Sequence, residues 1–262
     1  MMRPMTLGEI AAAVGCTDSY FLDNNAKITS ISTDSRPQPE DGDRESCLFV
    51  ALRGEVFDGH AYVGAALRNK AQYALVDKKG AEEYCKELPA QQLIVCEDTE
   101  QGFLDLAGAY RDRYHFRMVG VTGSVGKTTT KEMIAQVLSA QFETLKTQGN
   151  FNNRVGLPKT LLELDETVQA AVIEMGMNHF GEISDLTRRA KPDAAVITNI
   201  GVAHIEYLGS REGILKAKME ITEGMTPGSP LILNGDDDML ASVKPANHIE
   251  PVFFGLNPDL AY

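Results

Sequence analysis

The chain has no apolar run long enough to cross a membrane, where about 18 residues or more are needed. Its first residues, Met1-Met2-Arg3-Pro4, lack the apolar stretch of a signal peptide, so a cytoplasmic location without membrane insertion is expected. Positive charge is scarce: 25 Lys and Arg stand against 37 Asp and Glu, a net charge of −12. That balance argues against nucleic acid or an anionic membrane as partner, and a phosphate-rich ligand would have to be held by local donors. The four cysteines, Cys16, Cys47, Cys85 and Cys96, lie far apart without metal-ligand spacing, and read as small buried hydrophobes. No internal repeat, low-complexity tract or long block of like charge is present. What remains is an ordinary globular composition, 43% hydrophobic and 24% charged. At 262 residues it has the length for two domains.

The most specific stretch is Gly120-Val121-Thr122-Gly123-Ser124-Val125-Gly126-Lys127-Thr128-Thr129-Thr130. An apolar run (Met118, Val119, Val121) precedes it and a helical pattern over 131–140 follows. Strand, glycine-rich turn and helix form the context of a phosphate cradle. Turn N–H groups and the helix N-terminus face the anion, Lys127 neutralises phosphate charge and Thr128 can hold Mg²⁺. Val121 stands where the usual pattern has its first glycine, so this is a variant phosphate loop. A nucleoside triphosphate is the expected ligand.

Before that loop, Thr6-Leu7-Gly8-Glu9 reads as a capping box opening a short helix that ends near Gly15. Residues 27–35 are β-rich and end in Thr33-Asp34-Ser35-Arg36, ahead of Pro37 and Pro39. A strand over 47–52 leads into the polar loop Arg53-Gly54-Glu55-Val56-Phe57-Asp58-Gly59-His60. Helices over 61–70 and 81–88 and strands over 73–76 and 93–96 complete a small α/β domain, 1–98. A connecting helix over 99–114 opens the second domain, 99–262. There, strands over 117–121, 142–147, 170–174, 194–198, 230–233 and 252–254 are mostly separated by helices over 127–140, 157–164, 181–189 and 211–224. That alternation predicts a doubly wound, mostly parallel sheet, with ligands at the carboxyl ends of the strands.

Polar clusters follow those ends: Gly149-Asn150-Phe151-Asn152-Asn153, Glu174-Met175-Gly176-Met177-Asn178-His179, Gly201-Val202-Ala203-His204-Ile205-Glu206 and Asn234-Gly235-Asp236-Asp237-Asp238. Singly, each is explicable as turn chemistry, and for Asn152, Asn178 and the Asp run that bland reading is preferred. Jointly they share the edge of the phosphate loop. Glu174 closes an otherwise apolar strand, where an unpartnered carboxylate is costly and a nucleotide-bound Mg²⁺ would be a partner. His204 could reach the same metal or be an ordinary loop residue. Lys218 falls inside the apolar stripe Ile214, Leu215, Ala217, Ile221, whereas Lys216 points to solvent. Lys218 is thus either a snorkelling lysine or one held inside to meet phosphate or metal.

Together, Thr33 to Arg36, Cys47-Leu48-Phe49-Val50-Ala51-Leu52-Arg53-Gly54, Thr122 to Thr130, Gly149 to Asn153, Val172-Ile173-Glu174-Met175-Gly176 with Asn178-His179, Ala203 to Glu206 and Lys216-Ala217-Lys218-Met219-Glu220-Ile221 run in the order of a known family. The chain resembles the Mur ligases of bacterial peptidoglycan synthesis. The resemblance implies that the first domain holds the UDP end of a UDP-N-acetylmuramoyl-tripeptide through Asp34, Ser35, Arg36 and the loop residues Arg53, Gly54, Phe57, Asp58 and His60. Asn150, Asn152 and Asn153 are implied as further substrate contacts. The second domain would bind ATP and Mg²⁺ through Thr122, Gly123, Ser124, Val125, Gly126, Lys127, Thr128 and Thr129. Thr128, Glu174 and His204 would ligate the metal, and Lys218 falls where related ligases carry a carbamylated lysine.

The implied reaction activates the tripeptide carboxylate with the γ-phosphate of ATP. D-alanyl-D-alanine then attacks the acyl phosphate, giving an amide, ADP and phosphate. The Asn-rich loop and Ala203-His204-Ile205-Glu206 favour that dipeptide over a single amino acid as the incoming amine. A monomer is expected. Family members continue into a third domain, whereas this chain stops at Tyr262, so a fragment without turnover of its own is expected. The alternatives are a sister ligase adding one amino acid, a silent nucleotide- or UDP-sugar-binding module, and an unrelated phosphate-loop kinase or GTPase. The last leaves Asp34-Ser35-Arg36 and Lys218 without a role.

Overall fold

The computed structural model describes residues 2–19, 23–36, 46–54, 56–244 and 249–256. Pro37, Pro39, Glu55 and Tyr262 lie outside the described residues. Two compact units divide the chain, Met1–Ala109 and Tyr110–Tyr262. The connecting helix, Thr99–Arg111, falls mostly in the first.

The first unit contains β1 (Met5–Thr6), α1 (Leu7–Ala13), β2 (Asp18–Ser19), β3 (Lys27–Ile28), β4 (Ser30–Ser32), β5 (Cys47–Val50), α2 (Val63–Asn69), β6 (Tyr73–Asp77), α3 (Lys78–Tyr84), β7 (Leu93–Cys96) and most of α4 (Thr99–Arg111). The capping box forms at the head of α1: the Glu9 N–H donates to the Thr6 hydroxyl at 3.2 Å, and the Thr6 N–H donates to the Glu9 carboxylate at 2.7 Å. Five strands form a sheet in the order β2-β7-β6-β5-β4, parallel except for β2. Every residue of β5 is buried, as a central parallel strand covered on both faces requires. Phe49, Val63, Leu67 and Val76 join its core, and Cys47 and Cys85 pack there too.

Gly80, in the first turn of α3, lies against His60: a Cβ built there would stand 2.0 Å from the His60 ring. Gly80→Ala is therefore expected to cost about 1–3 kcal/mol by overpacking. Gly64→Ala is the control, because its Cβ would meet nothing closer than 3.4 Å. Thermal melting of the two variants measures the difference.

The second unit contains β8 (Arg117–Thr122), α5 (Lys127–Leu138), β9 (Thr144–Lys146), α6 (Gly156–Leu161), β10 (Ala170–Glu174), α7 (Glu182–Ala190), β11 (Ala194–Ile197), α8 (Ile205–Leu208), α9 (Arg211–Met219), β12 (Leu231–Asn234), α10 (Asp238–Ala241) and β13 (Pro251–Phe254). Its sheet is parallel throughout, in the order β13-β12-β11-β8-β10-β9. The chain leaves the central β8 towards one edge, then crosses back to β11 and continues to the other. This reversal opens a crevice at the carboxyl ends of β8, β10 and β11, where open α/β sheets bind ligands.

One expected helix divides. Residues 211–224 form α9 followed by a tight 3₁₀ turn, Glu220–Gly224. The cause is tertiary. The Glu220 carboxylate accepts the Gly181 and Ser184 N–H groups at the head of α7, at 2.8 and 3.2 Å. The Thr187 hydroxyl donates to the Ile221 carbonyl at 2.7 Å. A Cβ on Gly224 would lie 2.1 Å from the Thr187 carbonyl oxygen, so only glycine permits this approach.

Candidate active site

The phosphate loop joins β8 to α5, and its shape depends on two glycines. Gly126 takes a left-handed conformation (φ 80°) at the N-cap of α5. Gly123 has φ 150°, and a Cβ there would come within 1.9 Å of the Thr198 hydroxyl. The segment after β11 braces the loop. Ser124 and Val125 N–H groups donate to the Asn199 carbonyl and side-chain oxygen, both at 3.1 Å. The Thr198 hydroxyl donates to the Val125 carbonyl at 2.6 Å, and the Gly201 N–H donates to the Ser124 hydroxyl at 2.8 Å. Lys127 reaches back to the Gly123 carbonyl at 3.0 Å. Thr129 is exposed on the first turn of the helix, while Thr122 is fully buried, its hydroxyl without a hydrogen-bond partner among the described residues.

Glu174, 2% exposed, ends β10 beside this loop. One carboxylate oxygen accepts from the Thr128 hydroxyl at 2.9 Å, the other from the Asn152 amide at 2.8 Å. The Glu174 N–H donates to the Thr147 hydroxyl at 3.0 Å. Asn152 thus belongs to the site. Asn153 lines the same cavity while its side-chain oxygen accepts the Val155 and Gly156 N–H groups at 3.2 and 2.8 Å. Asn150 is exposed in the same loop, and its carbonyl accepts the Asn152 N–H at 2.7 Å.

A cavity of about 190 Å³ opens between these groups, lined by Lys127, Asn152, Asn178, Glu182, His204 and Lys218 among others. His204 takes φ 63° at the N-cap of α8. Lys218 is 3% exposed, and its ammonium has no hydrogen-bond or ion-pair partner among the described residues. Burial, with the charge of Lys127 beside it, pushes its ammonium down to about 7. Lys216 is exposed, its ammonium 5.6 Å from the centre of the Phe180 ring. Glu182 went unnoticed in the sequence. Its carboxylate accepts the Asn178 N–H at 2.7 Å, a loop contact that helical spacing does not reveal. The Asp run is structural: Asp237 caps α10 and accepts the Ile200 N–H at 2.8 Å, and Asp238 pairs with Arg211.

The donor set suits Mg²⁺. The hydrogen-bond donors to the Glu174 carboxylate among the described residues are neutral groups, one of them the Thr128 hydroxyl. Among the described residues no three His, Cys, Asp or Glu gather into a metal cage. A hard cation taking one carboxylate, phosphate oxygens and water needs no such cage.

In the first unit, Arg36 clasps Asp34 through Nε at 3.0 Å and Nη2 at 2.6 Å, holding that carboxyl well below the usual range. Ser35, between them, is half-buried. Arg53 forks onto Asp77 at 3.0 and 2.8 Å and also pairs with Asp58. The Gly54 N–H donates to the Phe57 carbonyl at 2.9 Å, which closes the turn and leaves the Phe57 ring exposed. His60 is 1% exposed, its Nδ1 lies 2.6 Å from an Asp58 carboxylate oxygen and its Nε2 accepts the Asp77 N–H at 3.1 Å. With both ring nitrogens engaged, His60 braces the loop from inside.

Residues 121–261 match the Mur ligase middle domain. The UDP-N-acetylmuramoyl-tripeptide–D-alanyl-D-alanine ligase of Bacillus subtilis is 44% identical over 241 residues, 91% of this chain and 50% of that protein. Its Escherichia coli counterpart is 40% identical over 211 residues, 80% of this chain and 44% of that protein. The crystal structure of MurF from Acinetobacter baumannii superposes with a TM-score of 0.83 at 34% identity, covering 97% of this chain and 54% of that one. MurF of Thermotoga maritima in complex with ADP gives 0.76 at 32% identity, covering 86% and 50%. The chain spans about half the length of the relatives it matches. Among the described residues no helix is long and apolar enough to cross a membrane. The phosphate loop, its parallel sheet and this likeness over more than half its length place the chain in the Mur ligase family.

Proposed function

We propose that this chain carries the UDP-substrate and ATP sites of a cytoplasmic ligase that joins D-alanyl-D-alanine to UDP-N-acetylmuramoyl-tripeptide. The observation that carries the ATP site is Glu174, held between Thr128 and Asn152 at the mouth of the phosphate loop. The named relatives above are ligases of this specificity, and one neighbour is a complex with ADP. Residues 99–262 form the ATP-binding part and 1–98 the UDP-substrate part.

Lys127 and the first N–H groups of α5 bind the triphosphate and offset charge on the γ-phosphoryl group as it moves to the tripeptide carboxylate. Thr128 and Glu174, with His204 on the wall of the adjoining cavity, would hold Mg²⁺, which would supply further charge compensation. The dipeptide amine then attacks the acyl carbon, and phosphate leaves with the bonding electron pair. Lys218 is the candidate for carbamylation. With its pKa near 7, much of the amine is neutral at that pH, the form whose lone pair attacks CO₂ with loss of a proton. The product is a carboxylate facing the cavity beside Lys127.

Calorimetric titration of the chain with ATP and Mg²⁺ tests the ATP site. Saturable binding that weakens when Mg²⁺ is chelated is expected, and a flat titration would overturn the assignment. For the first unit, Arg36→Ala is expected to weaken UDP-N-acetylmuramoyl-tripeptide binding about 10-fold, the worth of one charge-assisted contact. The Arg36 side chain is 79% exposed, so ATP affinity and melting temperature should not follow. Unaltered substrate affinity would remove Arg36 from the site.

A further inference from the structure

We infer that Lys131 is a positioning residue for the metal-binding end of the site, acting through Thr147. The inference rests on the ATP and Mg²⁺ reading above. Lys131 lies one helical turn beyond Lys127 on α5 and is among the largest fully buried side chains, at 0% exposure. A lysine normally keeps its head in water, and a buried ammonium is retained only against good partners. Here the partners are the Thr147 carbonyl, at 2.6 Å, and the Glu132 carboxylate, at 3.0 Å.

Thr147 is the residue that most needs fixing. It follows β9, an edge strand paired only with β10, and the ladder ends where its N–H donates to the Val172 carbonyl at 3.1 Å. Lys131 supplies the donor for the next carbonyl. Two of the hydrogen bonds that hold Glu174 depend on that strand end. The Thr147 hydroxyl takes the Glu174 N–H at 3.0 Å. The loop that leaves Thr147 carries Asn152, whose amide holds the Glu174 carboxylate at 2.8 Å. Helical side chains lean towards the helix N-terminus, so Lys131 reaches from the helix of Thr128 to the strand end beneath Glu174. One buried cation thereby sets the spacing between the two proposed oxygen ligands, Thr128 and Glu174.

The test uses the 262-residue chain, Lys131→Met, Thr147→Val and the double variant. ATP affinity is measured by calorimetry across a Mg²⁺ series and in chelator, with melting temperature recorded beside it. The Mg²⁺ midpoint should rise about 10-fold in Lys131→Met, as for other groups that orient a metal ligand, while affinity in chelator stays put. In the Thr147→Val background, Lys131→Met should shift the midpoint by less than it does alone, because the hydroxyl route is already gone and only the Asn152 route remains. A purely structural lysine would lower the melting temperature and leave the midpoint where it was, and that result overturns the inference. Additive shifts overturn it as well. If Lys131→Met does not fold, Thr147→Val decides, and an unshifted midpoint there is fatal. A wild-type chain without Mg²⁺-dependent ATP binding would instead overturn the reading beneath it.

Discussion

Alanine in place of Lys127 is expected to lower Mg²⁺·ATP affinity by about 100-fold and to leave the melting temperature almost unmoved. The ammonium donates at 3.0 Å to the Gly123 carbonyl, within the loop that bends around it. A contact between a charged donor and a triphosphate is worth about 1.5–3 kcal/mol, which converts to about 10–150-fold in affinity. The fold loses little in exchange. Lys127 is also one of the two influences that depress the ammonium of Lys218, so its removal relieves a repulsion inside the cavity. Calorimetry with ATP and Mg²⁺, alongside a thermal melt, reads both quantities. A folded variant with undiminished affinity would leave the phosphate loop without its assigned ligand. A variant that fails to fold would mean that Lys127 holds the loop together.

The sheet was legible because it follows from short-range patterns. Short apolar runs such as 170–173, alternating with helical patterns, read as central parallel strands, and polar residues just beyond them fall on one edge by topology. Lys218 was legible because its neighbours one turn away on either side are apolar. Lys131 was not. It sits in Thr128-Thr129-Thr130-Lys131-Glu132, a polar stretch that reads as a solvated face, and its burial comes from the contact with Thr147, sixteen residues further on. The burial of His60 was equally hidden, for the opposite reason. Its loop is rich in polar residues, yet Asp58 and the Asp77 N–H draw the ring inward against Gly80. Long-range partners of single polar groups decide such positions, and a periodic pattern carries no record of them.

Lys218→Met is expected to stabilise the second unit while weakening the site, and the gain should depend on pH. Burial pushes the Lys218 ammonium from an ordinary 10.5 down to about 7. Between those values the unfolded chain binds a proton that the folded chain does not, so stability rises with pH across that window. The cost of keeping Lys218 is absent above about pH 10.5, grows as pH falls and is fully present below about pH 7. Methionine has similar volume and no charge to desolvate, so the substitution should add about 1–4 kcal/mol near pH 7. The advantage should shrink steadily towards pH 10. Lys216→Met on the same helix is the control, because Lys216 is exposed against the Phe180 ring and should show little change at either pH. Chemical denaturation at pH 7 and pH 10 separates these outcomes. Binding of ATP with Mg²⁺ should weaken in Lys218→Met only, since that variant alone removes a nitrogen from the cavity wall. A loss of stability at pH 7 would show that the lysine is paid for by a partner, and a carbamate made from dissolved CO₂ is the one its chemistry allows. Removing CO₂ and bicarbonate from the buffer should then bring the wild-type chain down to a level below the variant. If the wild type stays above the variant without CO₂, Lys218 is an ordinary core lysine and its place in the site is lost.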